Sequence, residues 1–244
     1  YWPGVWAQDR PGMFTGSGAL SASGGVGTCP GCVSLKSSGG GGGRVAVHYQ
    51  VLSFTGSASA WGGTGANGPS GAPGTVGFFD ESVVGQTTLI AGPTWRFETD
   101  DAGYMLWDAI LRNTSATVGD SLEWLQISHS LVLEGSAEKF ITSFALGNAS
   151  HQLTVTVPQL TVGSDCVVSG NGTFEVDAMD VMPGGVISAD GAGFGAGQGP
   201  GAAVTDNHAA SHGGLGGNAE LGAYGSAVFP ETMGSGGAGG PGGG

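Results

Sequence analysis

The chain has 244 residues, 39% of them hydrophobic, enough for one large domain or two small ones with a sizeable core. Six basic and nineteen acidic residues give a net charge of −13, which repels nucleic-acid backbones and anionic lipid surfaces and argues against both as partners. Fifty-two glycines without the strict third-residue period of collagen exclude a triple helix, while a charged content of only 10%, with strand-like runs between the glycines, argues for order.

The chain opens on YWPGVW, three aromatics and a proline within six residues, with no basic, apolar signal region ahead of them. Residues 1–13 read as an extended amino-terminal segment. Tyr1, Trp2, Val5 and Trp6 are its candidates for docking on a neighbouring copy, the alternative being that Trp2 and Trp6 cap the core of their own domain. No window approaches the roughly 18 consecutive apolar residues that a membrane-crossing helix requires, so membrane insertion is not expected.

Residues 14–190 read as a β body. In its first part, strand-like runs (MFTGSGALSAS, RVAVHYQVLSF, FTGSASAW, TVGFFD) alternate with glycine clusters. Beyond residue 80 the runs are longer: TTLIAG, TWRFET, EWLQIS, SLVLEG, KFITSFAL, QLTVTVPQLTVG and TFEVDAM. Alternation with β-branched and aromatic residues predicts strands, and GYMLWDAILRN is open between helix and strand. Residues 191–244 read as a glycine-rich region, poor in large apolar side chains, that packs on the body or on a neighbour.

One phrase recurs: LSASGG at 20–25, ASAWGG at 58–63 and ISADGA at 187–192. In a strand, Leu20 with Ala22, Ala58 with Ala60, and Ile187 with Ala189 share an inward face, followed by glycine where the chain turns against close backbone. Stacked coils produce that situation repeatedly. The expected fold is therefore all-β, a parallel β-helix (β-solenoid) with glycine-rich corners and loops, with a β-sandwich as the alternative. At roughly 20 to 25 residues per coil it has about ten coils.

The stretches GGGGGRVAVHY, FTGSASAWGGTGANGPSGAPGTVGFF, GGVISADGAGFGAGQGPGA and GAYGSAVFPETMGSGGAGGPGGG resemble the glycine-rich repeats of very large secreted or cell-surface β-helix proteins of microbes, adhesin-like or fibre-forming. The resemblance covers the first 80 and last 60 residues. It implies an extracellular location and a scaffold or adhesive role, with no catalytic residues to carry over; taken with the docking segment, the expectation is a structural protein, a protomer or repeat unit of a surface fibre or matrix that self-associates. Two rivals come from other classes, a polysaccharide-active right-handed β-helix enzyme and a carbohydrate-binding adhesin module. The latter would use Trp61, Trp95 or Trp107 as stacking platforms.

The chemistry-bearing residues are few. Cys29 and Cys32, in CPGC, are the disulfide candidate; the same spacing serves redox and zinc sites, which need a βαβ unit or a second ligand pair. Cys166 is left over, buried and reduced or paired with another chain. Asp177, Asp180 and Asp190 are the carboxylates that an enzyme or a calcium site would use, yet residues 140–244 contain no lysine or arginine to engage an acidic polysaccharide. No cofactor is expected, with calcium as the one alternative. His208 and His212 read as loop histidines, and GAGFGAGQG lacks the strand and helix of a dinucleotide loop. Asn113, Asn148 and Asn171 match the N-glycosylation pattern, so a glycoprotein is expected where the producing cell is eukaryotic.

Overall fold

A computed structural model describes residues 12–28, 36–98, 106–119, 122–135, 142–146, 153–203, 205, 208–219, 221–228 and 232–238. Tyr1, Trp2, Val5, Trp6, Cys29, Cys32 and Asn148 lie outside these residues. The chain is all-β. Strand β1 (Met13–Gly16) pairs in parallel with β4 (Val51–Phe54), β2 (Ala19–Ser21) with β5 (Ser57–Ser59), and β3 (Arg44–Tyr49) with β6 (Thr75–Val83). A hairpin at Val84–Gly85, where Gly85 takes a φ of 76°, then joins β6 to the antiparallel β7 (Gln86–Ala91). Every other ladder between the described strands is parallel, which an antiparallel sandwich would not show.

After the hairpin, three parallel ladders run side by side. One joins the first part of β11 (Trp124–Glu134) to β13 (Leu153–Thr156) and β16 (Gly172–Glu175). A second passes from β7 through β9 (Leu106–Arg112) and the later part of β11 to β14 (Gln159–Val162) and β17 (Ala178–Val181). The third is β8 (Thr94–Phe97), β10 (Ser115–Val118), β12 (Thr142–Ala145), β15 (Cys166–Ser169) and β18 (Val186–Ser188). Strand β11 belongs to two ladders because its register shifts between Ile127 and Ser130; extra residues on one strand bend it from one sheet into the next.

Alternation along each strand sends every second side chain inward, and register stacks those side chains in rows. One row is Trp95, Ala116, Phe144, Val168 and Ile187; another is Leu89, Ala109, Leu131, Leu160 and Met179. Each row holds one alanine, Ala116 or Ala109, between larger neighbours, and all but the end members are fully buried. Trp95 packs edge-on against Phe79 and Phe97, and Phe97 against Phe144.

The repeated phrase behaves as its spacing implies in two copies of three. Leu20 pairs with Ala58 and Ser21 with Ser59, so LSASGG lies on ASAWGG in register. Ile187, in the third copy, stacks on Val168 instead. EWLQIS and SLVLEG, expected as two strands, are one bent strand, and GYMLWDAILRN resolves as β9. Stacked positions are 38 residues apart at Leu20 and Ala58 but 19 apart at Val168 and Ile187. Long excursions therefore leave fewer rows than a uniform 20-to-25-residue coil would give.

Most of the early glycines serve a second kind of packing. Residues 22–27 continue from β2 and 59–65 from β5, while 37–43 lead into β3 and 68–74 into β6. These four segments hydrogen-bond backbone to backbone at every third residue: Gly24 and Gly27 donate to Trp61 and Thr64, and Gly39 and Gly42 to Pro69 and Ala72. Between the pairs, Gly40 and Gly43 donate back to Gly25 and Ala22, and Gly71 and Gly74 to Gly63 and Ala60. A three-residue period is that of the extended, polyproline-like helix, which has no internal hydrogen bonds and must find partners outside itself. The sequence carries this period: Gly62, Gly65, Gly68, Gly71 and Gly74 are strictly three apart, so a third-residue repeat absent from the whole chain is present locally. A methyl at any of these five, or at Gly24, Gly27, Gly39 or Gly42, would run into a neighbouring backbone.

Gly41 offers the control, because a Cβ there has Ala72 O at 3.9 Å as its nearest contact. In thermal or urea melts, Gly71→Ala loses about 1–3 kcal/mol by overpacking against Gly40, whereas Gly41→Ala stays within about 0.5 kcal/mol of the native protein. Phe144→Ala, in the closed part of the core, costs about 3–5 kcal/mol.

Candidate functional site

Where β9 and β11 bend, outward side chains converge. The Asp108 carboxylate lies 2.7 Å from His129 Nδ1 and accepts a 2.5 Å hydrogen bond from Ser130 Oγ, both on the same oxygen. The Trp107 ring stacks on His129 at 5.5 Å and 14°. Serine, histidine and aspartate together suggest a nucleophile relay, but in a relay the histidine sits between the other two and takes the serine proton. Here the carboxylate is in the middle, so Ser130 is not hydrogen-bonded to His129 and the relay order is absent, while the shared oxygen ties β9 to β11 at the bend.

The adjoining outer face is more open. Alternation puts Leu125 and Ile127 in the core, which turns Trp124 and Gln126 outward. Register sets Trp124 beside Thr154 and Thr173, and Gln126 beside Thr156 and Glu175. Glu123, Trp124, Gln126, Thr154, Thr156 and Glu175 line an open depression of about 480 Å³. Thr156 Oγ1 donates to Glu175 Oε2 at 2.9 Å, and Trp124 is 55% exposed. The sequence reading had not singled out Trp124, although the alternation in EWLQIS already places it opposite the buried leucine and isoleucine.

The tryptophans expected as platforms occupy three different settings. Trp95 is partly buried against the core, packed edge-on on Phe79 and Phe97, with its buried Nε1 lacking a hydrogen-bond partner. Trp107 has one face covered by His129, and Trp61 stands 54% exposed on the glycine segments. Asp177, Asp180 and Asp190 are exposed, and no group of three His, Cys, Asp or Glu able to hold a metal occurs among the described residues. His208 meets Thr205, and His212 packs on Tyr224 at 4.9 Å with Thr232 3.3 Å away. That places the two histidines in separate turns.

Residues 192–238, where described, form turns tied to one another rather than strands. Tyr224 Oη contacts both Met233 O and Ser235 Oγ at 2.6 Å, and Phe194 N–H donates to Gly234 O. The Asn171 amide donates to Met233 Sδ at 2.8 Å, joining this region to the strands. No helix among the described residues is long and apolar enough to cross a membrane. No family model matches the chain, and neither a curated protein nor a solved structure does so.

The two described sequons differ in setting. Asn113 is exposed at a φ of 52° in the turn after β9, whereas Asn171 is half-buried with its amide engaged. Expression through a eukaryotic secretory route should add sugar at Asn113 and leave Asn171 bare. Intact mass of the native chain and of Asn113→Gln, with and without glycosidase, measures this.

Cys166 is buried and free, its thiol pushed up by burial. It should resist maleimide labelling in the folded protein and react once unfolded, as peptide mapping would show. Tyr49 is likewise raised, by burial and then by Asp80. For both groups the neutral form favours folding, so stability falls as the pH climbs above the ordinary 9.0 of the thiol and 10.0 of the phenol.

Proposed function

We propose that the parallel ladders wind as a β-solenoid, interrupted by the β6–β7 hairpin, and that the protein is a non-enzymatic extracellular structural unit associating end to end into a fibre. One observation carries the association. The inward rows of the core continue in register to the last strands and are exposed there: Met179 follows Leu160, Val181 follows Val162, and Ile187 follows Val168. The inner members are fully buried, yet the outer three are 42%, 43% and 41% exposed. An apolar row that reaches solvent beside unpaired strand edges is a surface for another chain.

Charge favours a second copy presenting its other end. Residues 12–74 contain Lys36 and Arg44 and no acid, while residues 140–244 contain Asp165, Glu175, Asp177, Asp180 and Asp190 among their acids and no lysine or arginine. Two acidic ends repel each other, whereas an acidic end against a basic one attracts. That contact is heterologous and propagates as a filament unless rotation closes it. Residues 1–13, with Tyr1, Trp2, Val5 and Trp6 and with Asp9 offsetting Arg10, have the aromatic composition suited to such an apolar end. The extracellular placement rests on the resemblance to microbial surface repeats and on the sequons.

Sedimentation velocity and electron microscopy over a concentration series test this. The native chain should form linear oligomers that shorten at high salt, and both deletion of residues 1–12 and Ile187→Glu should yield folded monomers. A native chain that stays monomeric, or oligomers that survive both changes, would overturn the reading.

A further inference from the structure

We propose that the depression beside Trp124 is a binding site for a neutral oligosaccharide, a function separate from end-to-end association. An exposed indole on a sheet face leaves a large apolar surface in water, and a partner with a flat C–H face removes that cost. Beside Trp124 the floor is low, because its in-register neighbour on β13 is Thr154, with Thr173 next in the row on β16. The indole is 55% exposed at the edge of the depression and offers apolar surface against which a ring can lie.

The polar groups around it define the ligand class. Gln126 both donates and accepts, Thr154 and Thr156 carry hydroxyls, and Glu123 and Glu175 accept. Glu175 is already oriented by the bond from Thr156. Both charged groups lining the depression are carboxylates, on a chain whose net charge is −13, so an anionic ligand is repelled. What remains is a neutral molecule rich in hydroxyls with one apolar face, which describes a pyranose chain. Three adjacent strands, β11, β13 and β16, span about 10 Å at ordinary strand spacing, the length of two linked pyranose rings. An open site of about 480 Å³ falls within the usual range for small-ligand pockets.

The test uses the full chain with two probe sets, neutral hexaoses of the cello, xylo, manno and chito series, and oligogalacturonate as the anionic comparison. Binding is read by calorimetry and tryptophan fluorescence, with circular dichroism melts as the folding check. At least one neutral series should bind, with little dependence on salt. Trp124→Ala, whose side chain is outside the core, should lose at least tenfold in affinity with an unchanged melt, Trp124→Phe should retain part of it, and Glu175→Gln should lose a few-fold. No binding to any neutral series, equal binding by Trp124→Ala, or a preference for oligogalacturonate would each overturn the assignment.

Discussion

Two backbones in van der Waals contact leave no room for a Cβ, and that constraint organises the amino-terminal third of the molecule. Where the segments at 22–27, 37–43, 59–65 and 68–74 meet, carbonyl oxygens fill the space that side chains would need, and glycine recurs at every third residue. Each bond between segments contributes about 0.5–1.5 kcal/mol net, close to the roughly 0.5–1 kcal/mol that ordering a glycine costs relative to alanine. The segments thus cannot hold themselves together on hydrogen bonds alone. They are anchored because each is continuous with a paired strand: the parallel pair 22–27 and 59–65 extends β2 and β5, and the parallel pair 37–43 and 68–74 extends β3 and β6.

The carboxyl-terminal ladders are stabilised differently, by rows of large and small apolar side chains in register. The two regimes meet at β6, where Gly77 lets the Trp95 ring approach; a Cβ there would come within 2.5 Å of the ring. At the hairpin the strand direction reverses, so β3 and β6 run opposite to β7, β9 and β11 although they share one sheet. Reversal costs the sheet no hydrogen bonds, because an antiparallel pair serves as well as a parallel one. It does divide the stacking into two blocks, with the glycine segments attached to the first and the exposed apolar row to the second.

Alternation and β-branched enrichment made most of the strands legible, and the LSASGG and ASAWGG repeat correctly announced two stacked positions. Other features were hidden for physical reasons. SATV and CVVS, which form β10 and β15, are only four residues each, too short for a period of two to stand out from their surroundings. The bend in β11 depends on its neighbours, since only pairing with β13 on one side and β14 on the other makes one strand serve two ladders. The three-residue glycine period between 62 and 74 was in plain view but diluted by glycines elsewhere that follow no such spacing. Trp124 shows a similar dilution: alternation marks it as outward, while its setting among Gln126, Thr154, Thr156 and Glu175 requires residues from three strands.

Residue-resolved amide exchange by NMR tests the central claim most directly, because glycine amides resolve well and report on individual hydrogen bonds. If the segments are bound backbone to backbone, the amides of Gly24, Gly27, Gly39, Gly42, Gly71 and Gly74 exchange slowly, and that of Gly41 exchanges fast. Rapid exchange at all of these positions, with the strand amides of β9 and β11 still protected, would contradict it.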